Sequence, residues 1–480
     1  MRPWARKLVK IAVVVAGSGV LLGLAGTFAV RELLAQVPSY RQDLQAWVNR
    51  ELGLELSFAD LDARWGWRGP ELTFRDASVA AAAGAQPFIK ARTASIGVGP
   101  FRLIAVLVAK SDIGIDSLTL EGTELTLVKT ADGAYRMQGA PTSAARGDEF
   151  RFDVPPDIDV LVRDSRVLYL DASRNIAWSF ENVEASMRRA SGALRLEAQA
   201  QAPHELASRI TVTAEGELGE ADAARRAHGV TFTGNWQVSA SADDVDLSAV
   251  GRFLPDFRVV PQAGNGDVAV NLEWRRAHLV GGDVKLALTD VELPAVRGTA
   301  GSRFDRIALG GDWRLDDDTW HIDLKNVSVA REGRAWPVTS NGEIDLALAD
   351  GALRRLALRS SFLRLEDLTP FLSPLPASRP LDAWFALAPH GDLKAVSVEV
   401  ARADERLDYT LSLQFAGLGF APYNGLPGIT SLTGEMRADA RSGRVDLRTG
   451  DSSFDWPQMF RGPLAVKSAT GVVVWRQNQN

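Results

Sequence analysis

Five histidines, His204, His228, His278, His321 and His390, are the side chains most suited to proton transfer or metal ligation near neutral pH. They lie far apart, and no HxH or HxxxH pair sets two on one face, so a solvated or structural role outweighs metal binding for each. The chain has no cysteine, which removes thiol catalysis, disulfides and Cys-based zinc sites. No GxSxG elbow, Walker A loop or HExxH helix occurs. The run "GNGDVA" from Gly264 partly mimics a dinucleotide fingerprint, but it opens a strand, so no helix N-terminus waits for a pyrophosphate. Asp316, Asp317 and Asp318 have the chemistry to hold a divalent ion; a charged hairpin tip accounts for them more simply. Asp243, Asp244 and Asp246 precede a short helical pattern, where acids favour the helix start. No acid/base pair stands out by spacing among 60 acidic residues. These residues read as a non-enzyme with no cofactor and no metal.

What the sequence does concentrate is apolar side chains at every second position, the period of a strand with one oily face. Val268, Val270, Leu272 and Trp274 share a face, as do Val284, Leu286 and Leu288; Trp313 and Leu315; Trp320, Ile322 and Leu324; and Ile344, Leu346 and Leu348. In "DARWGWRGPELTFRDASV", residues 62 to 79, Trp65 and Trp67 share one face of a hairpin that resumes with Leu72 and Phe74. Two readings stay open. Either two sheets bury these rows against each other, or one sheet curls without closing and the rows line a continuous apolar trough.

The elements that would carry these rows start at Leu54, where the period becomes two. Runs of five to eight residues, bounded by Gly, Asp, Asn or Pro, then follow one another as strands and turns. Gly followed by an acid recurs at Gly266, Gly282, Gly311, Gly342, Gly391 and Gly434, which suits turns needing positive φ. "VDLSAVGRFLP" at 245–255 and "LRLEDLTPFLSP" at 363–374 share the spacing of a short amphipathic helix after a shift of 118 residues. The fold class is mostly β: an N-terminal transmembrane helix, then an elongated, curled antiparallel sheet, taco-like, with short helical insertions. The expected segments are a basic tail at 1–10, a membrane helix at 11–30 and an amphipathic linker helix at 31–53. Three β units follow at 54–240, 241–360 and 361–480, the last incomplete at its edge.

Residues 11 to 30, "IAVVVAGSGVLLGLAGTFAV", carry no charge, and as a helix they would span about 30 Å, the hydrocarbon thickness of a bilayer. Arg2, Arg6, Lys7 and Lys10 precede them, which places the N-terminus in the cytoplasm and the bulk outside. A cleaved signal peptide is the competing reading; it has only a poor cleavage site near Thr27 and Ala29. Removing Arg2, Arg6, Lys7 and Lys10 from the 54 basic residues leaves 50 against 60 acidic ones outside the membrane, a net of about −10, which argues against nucleic acid as a partner.

Pro38, Tyr40, Arg41, Trp47, Leu52, Gly53, Leu61, Trp65, Pro70, Leu72 and Val79, following a membrane span, resemble the N-terminal signature of the YhdP proteins within the AsmA-like family of Gram-negative bacteria. The resemblance is close over residues 1 to 80 and looser over the rest, where "PFLSPLP" agrees in style. It implies a single-pass inner-membrane anchor, a periplasmic β-groove and phospholipid as cargo between inner and outer membranes, in support of the outer-membrane barrier. It brings no catalytic motif. Trp65, Trp67, Leu72, Phe74 and the rows from Val268 to Leu348 would then line the groove. The alternative is a structural or assembly factor that binds outer-membrane or other envelope proteins through its β body.

Overall fold

The computed structural model describes Gln45 and residues 55 to 476, apart from 67–68, 83, 98–115, 131–134, 141–157, 172, 191–192, 218–233, 254–259, 277, 296–300, 350–351, 373–378 and 404–405. The expected basic tail, membrane span and Trp67 lie outside the described residues, as does the linker helix apart from Gln45. Among the described residues no helix is long and apolar enough to cross a membrane. The chain forms two compact units, residues 1–203 with 212–231, and residues 204–211 with 232–480.

Unit 1 carries β1 (Glu55–Ser57), β2 (Asp60–Gly66), β3 (Gly69–Ala80), β4 (Pro87–Gly97), β5 (Ser117–Lys129), β6 (Tyr135–Met137), β7 (Asp159–Asp171), β8 (Ile176–Ala190), β9 (Ala193–Gln201) and most of β10 (Arg209–Glu217). The tryptophan hairpin is β2 against β3, antiparallel, with Gly66 opposite Gly69. Among the described residues one pairing departs from the expected antiparallel sheet: β5 and β7 run parallel, Leu118 opposite Val160. A parallel pair needs a crossover of a dozen or more residues, and the segment between Lys129 and Asp159 is long enough to supply one. Short alternating runs with turn residues between them look the same whichever way the next strand enters.

Unit 2 carries β11 (Trp236–Asp246), α1 (Leu247–Phe253), β12 (Ala263–Arg275), β13 (His278–Leu293), β14 (Ser302–Asp316), β15 (Thr319–Arg331), β16 (Arg334–Ala335), β17 (Ser340–Ala349), β18 (Ala352–Arg364), α2 (Leu365–Leu372), α3 (Arg379–Leu387), β19 (His390–Ala403), β20 (Arg406–Phe420), β21 (Gly428–Asp439), β22 (Ser442–Thr449), β23 (Ser452–Asp455), β24 (Leu464–Val466) and β25 (Ala469–Arg476). Each strand pairs antiparallel with the next from β11 to β15, and from β17 to β22. The two helical repeats are real: α1 follows β11 and α2 follows β18, each directly at a strand end.

The strands are longer than the runs that announced them because bulges interrupt the alternation without ending the strand. Asp244, Asp290 and Asn326 stand at φ 54°, 51° and 53° inside β11, β13 and β15, and Asp164 and Asn182 at 51° and 49° inside β7 and β8. Asn and Asp tolerate this left-handed conformation best among residues with a side chain. After Asp244 and Asp290 the next residue returns to the apolar face: Val245 and Val291 are buried. Register shifts mark the same places, at Ala242/Val245 and Leu324/Val327. A bulge bends its strand and increases local twist, so the three in β11, β13 and β15 put a crease across the sheet of unit 2. Side chains bridge this crease: Asn265 Nδ2 donates to Asp244 at 3.0 Å, and the Asn326 amide donates to Asn341 Oδ1 at 3.0 Å. Asn326→Val, which puts a β-branched residue at positive φ, is expected to cost unit 2 about 1–3 kcal/mol, whereas Asn326→Gly is tolerated. Denaturant midpoints of the two variants check this.

The Gly-acid steps are not turns, contrary to their sequence reading. Gly282, Gly311, Gly342 and Gly434 lie inside β13, β14, β17 and β21. They sit where a neighbouring side chain crosses the apolar face. A Cβ on Gly282 would come within 3.1 Å of the Trp313 ring and 2.3 Å of the Asn271 carbonyl. One on Gly434 would meet the Phe415 ring at 3.0 Å. The missing side chain makes room for the aromatic beside it.

Candidate functional site

Residues opposite each other across strand pairs point to the same face, so the register traces rows across unit 2. One row runs Val238, Leu272, Gly282, Trp313, Ile322, Ile344, Leu358, Val398, Leu411, Ala438, Gly443 and Trp475. Every member is apolar or glycine. At about 4.8 Å per strand step, the row extends roughly 50 Å. A second row passes through Val270, Val284, Gly311, Leu324 and Gly342, and a third through Leu315, Trp320, Leu346, Leu356 and Val400. Trp313 and Trp320 pack ring to ring at 5.5 Å.

One residue along, the other face is polar: Asn271, Asp283, Asp312, Asp323, Glu343 and Arg359 form the neighbouring row. Asn271 Nδ2 donates to Asp283 at 2.8 Å, Lys325 pairs with Asp312, and Arg359 reaches Glu343 at 3.3 Å. His321 lies on this face too, its Nδ1 2.6 Å from Asp345. Asp317 and Asp318 form the tip between β14 and β15. Among the described residues no group of three metal-ligating side chains is placed to hold an ion.

The apolar face is not uniformly covered. Towards one end of the strands, Phe304 and Phe362 are fully buried. There α2 lays Phe371 against Phe304 at 5.5 Å, and Leu365 packs with Leu393, Val396 and Phe415. Trp336 stacks edge-on to Phe362 at 5.2 Å and donates from Nε1 to Asp367 at 2.8 Å. Burial pushes the Asp367 carboxyl above the usual carboxylate range, against the pull of that hydrogen bond and of Arg331. Past the crease, Val268, Val270, Leu272, Val284, Leu286, Leu288, Trp320, Ile322, Leu324, Ile344 and Leu346 are all only half-buried, and Leu348 is exposed. A second sheet packed on this face would bury such residues almost completely.

Unit 1 repeats the pattern on its own. Ala63, Leu72, Ile96, Leu118, Val160, Met187 and Leu196 form one apolar row, half-buried throughout. Phe74 belongs to a closed cluster with Phe58, Leu61 and Ala77, its ring edge-on to Phe58 at 5.1 Å. Trp65 shares this face two residues on, at the end of β2, opposite Pro70, and is 41% exposed.

The register therefore unites the candidate residues of β12 to β17 on one face, and Trp65, Leu72 and Phe74 on one face of unit 1. It adds Leu356, Leu358, Val398, Val400 and Leu411, which sequence reasoning passed over although "LRRLALRS" and "VSVEV" alternate just as clearly. The family model described as YhdP protein matches residues 1–480. No curated protein and no solved structure matches the chain.

Proposed function

The chain belongs to the YhdP family, and from that membership we propose that it is a non-catalytic envelope protein whose apolar sheet faces carry the acyl chains of phospholipid. The observation that supports this is the half-open state of the rows from Val268 to Leu346. Taking an acyl chain through water costs about 25 cal/mol for each Å² of apolar surface exposed. A row without a polar interruption removes most of that barrier at every step, while headgroups stay in solvent. In this proposal residues 11–30 anchor the chain in the inner membrane, the β units stand in the periplasm, and lipid moves between the inner and outer membranes to maintain the outer-membrane barrier.

Photo-crosslinking residues at Leu286 and at Leu346, in the full chain in membranes, are expected to capture phospholipid. The same probe at Lys285, exposed on the polar face, is expected to capture none. Adducts only with protein at Leu286 and Leu346 would favour the assembly-factor alternative.

A further inference from the structure

Among the described residues β25 pairs with β22 alone, from Ala469 opposite Thr449 to Arg476 opposite Ser442. The amides and carbonyls along its other side form an open edge, which sheet proteins usually protect with charge, proline or a bulge. β25 has no proline, its one charged residue is Arg476 at the end, and its register with β22 runs unshifted. It is apolar on both faces instead. Val473 and Trp475 lie on the apolar face opposite Val445 and Gly443, while Val472 and Val474 lie on the polar face opposite Asp446 and Arg444. Val472, Val473 and Val474 are 52%, 52% and 60% exposed.

Gly471 indicates what belongs on that edge. Elsewhere in unit 2, strand glycines make room for an aromatic ring on the next strand: Gly282 for Trp313, Gly434 for Phe415 and Gly443 for Trp475. Gly471 lies within β25 at ordinary φ, and nothing stands within 4 Å of the place its Cβ would take. Neither backbone conformation nor a neighbour in its own chain asks for glycine there. A following strand with an aromatic opposite Gly471 would, and β25 itself carries the match, since Trp475 shares the face of Gly471 four residues on.

We propose that the open edge is covered by a second copy of this chain, the two β25 strands running antiparallel about a twofold axis through Val473. In this register Thr470 meets the partner's Arg476, Gly471 the partner's Trp475, Val472 the partner's Val474 and Val473 the partner's Val473. Each indole then has glycine on both sides, and no like charges are opposed. The apolar face also runs on unbroken. Gly471 is opposite Leu447, Leu447 opposite Gly434, and Gly434 opposite Phe415, so the row that ends at Trp475 in one copy continues along these residues in the other. The proposal stands on the register of β22 and β25 and not on the lipid-carrying function.

The chain has no cysteine, so introduced cysteines read the register directly. In the full chain in detergent micelles, Val473→Cys under mild oxidation is expected to give a disulfide-linked dimer. Residues opposite each other in an antiparallel pair have Cα atoms about 4.5–5.5 Å apart, within the span of a disulfide. Val472→Cys alone is expected to link at least tenfold less, being two residues out of register with its own counterpart, and to link well when co-expressed with Val474→Cys. No linked dimer from Val473→Cys, or equal yields from Val472→Cys and Val473→Cys, overturns the proposal. Sedimentation of the unmodified chain is expected to give twice the protein mass of one copy. Val473→Lys sets two ammonium groups face to face and is expected to weaken the dimer at least tenfold, with little change in the unfolding midpoint because the site is exposed. Gly471→Val fills open space in one copy but meets the partner's Trp475, so it is expected to weaken the dimer while leaving the fold intact. A single-copy mass in the unmodified chain, or a dimer indifferent to Val473→Lys and so held by another surface, also overturns the proposal.

Discussion

Phe362→Ala is expected to lower the stability of unit 2 by about 3–5 kcal/mol, the cost of deleting a large ring that its surroundings cannot close over. Phe362 is fully buried, and its neighbours are fixed by contacts of their own. Trp336 meets it edge-on at 5.2 Å and is held by Asp367. The backbone amide and carbonyl of Phe362 are both hydrogen-bonded to Ser340 Oγ, at 3.1 and 2.6 Å. With the surrounding groups pinned, most of the ring's volume would remain as a cavity. Amides of β18, whose last residues are Phe362, Leu363 and Arg364, should then exchange hydrogen markedly faster, while those of β3 in unit 1 stay unchanged. Loss of less than about 1 kcal/mol would mean that the site collapses around the gap.

The second large effect follows from the proposed lipid-carrying role and falls on lipid capture rather than on folding. Ile344 sits in the middle of the longest apolar row, flanked across the sheet by Ile322 and Leu358. Because it is only half-buried, a glutamate there can hydrate its carboxylate in the empty protein, and Ile344→Glu should shift the unfolding midpoint little. Once an acyl chain covers the row, that carboxylate loses its water with no partner nearby, at a cost of several kcal/mol. Lipid capture at Leu286 or Leu346 is therefore expected to fall at least tenfold, and outer-membrane permeability to rise. Glu343→Leu, one position away on the polar face, should leave capture unchanged. Equal capture in Ile344→Glu and the unmodified chain would sink the idea that tails lie on this row.

Which parts of this were readable beforehand follows from periodicity. Val284, Leu286 and Leu288 alternate within one strand, and a period of two is a local property that needs no partner to be seen. The repeated helices were readable for the same reason, since Leu247 and Leu365 each open a run with helical spacing. Features that depend on other strands were not. Val291 and Leu293 fall out of phase with Leu288 because Asp290 adds a residue at positive φ, and a pattern that slips by one looks like a strand that has ended. The glycines at 282, 311 and 342 resembled turns because their reason for being small, such as Trp313 crossing over Gly282, lies on another strand. Core and open row also carry the same residue types: Phe304 and Trp320 differ in cover, not in chemistry.

The Asx-plus-valine step in β11, β13 and β15 has an evolutionary corollary. Each such strand brings its own bend, so a hairpin can be duplicated or lost without recalculating the curvature of its neighbours. Within unit 2, the number of such hairpins then sets how many strand steps, each about 4.8 Å, the apolar face spans.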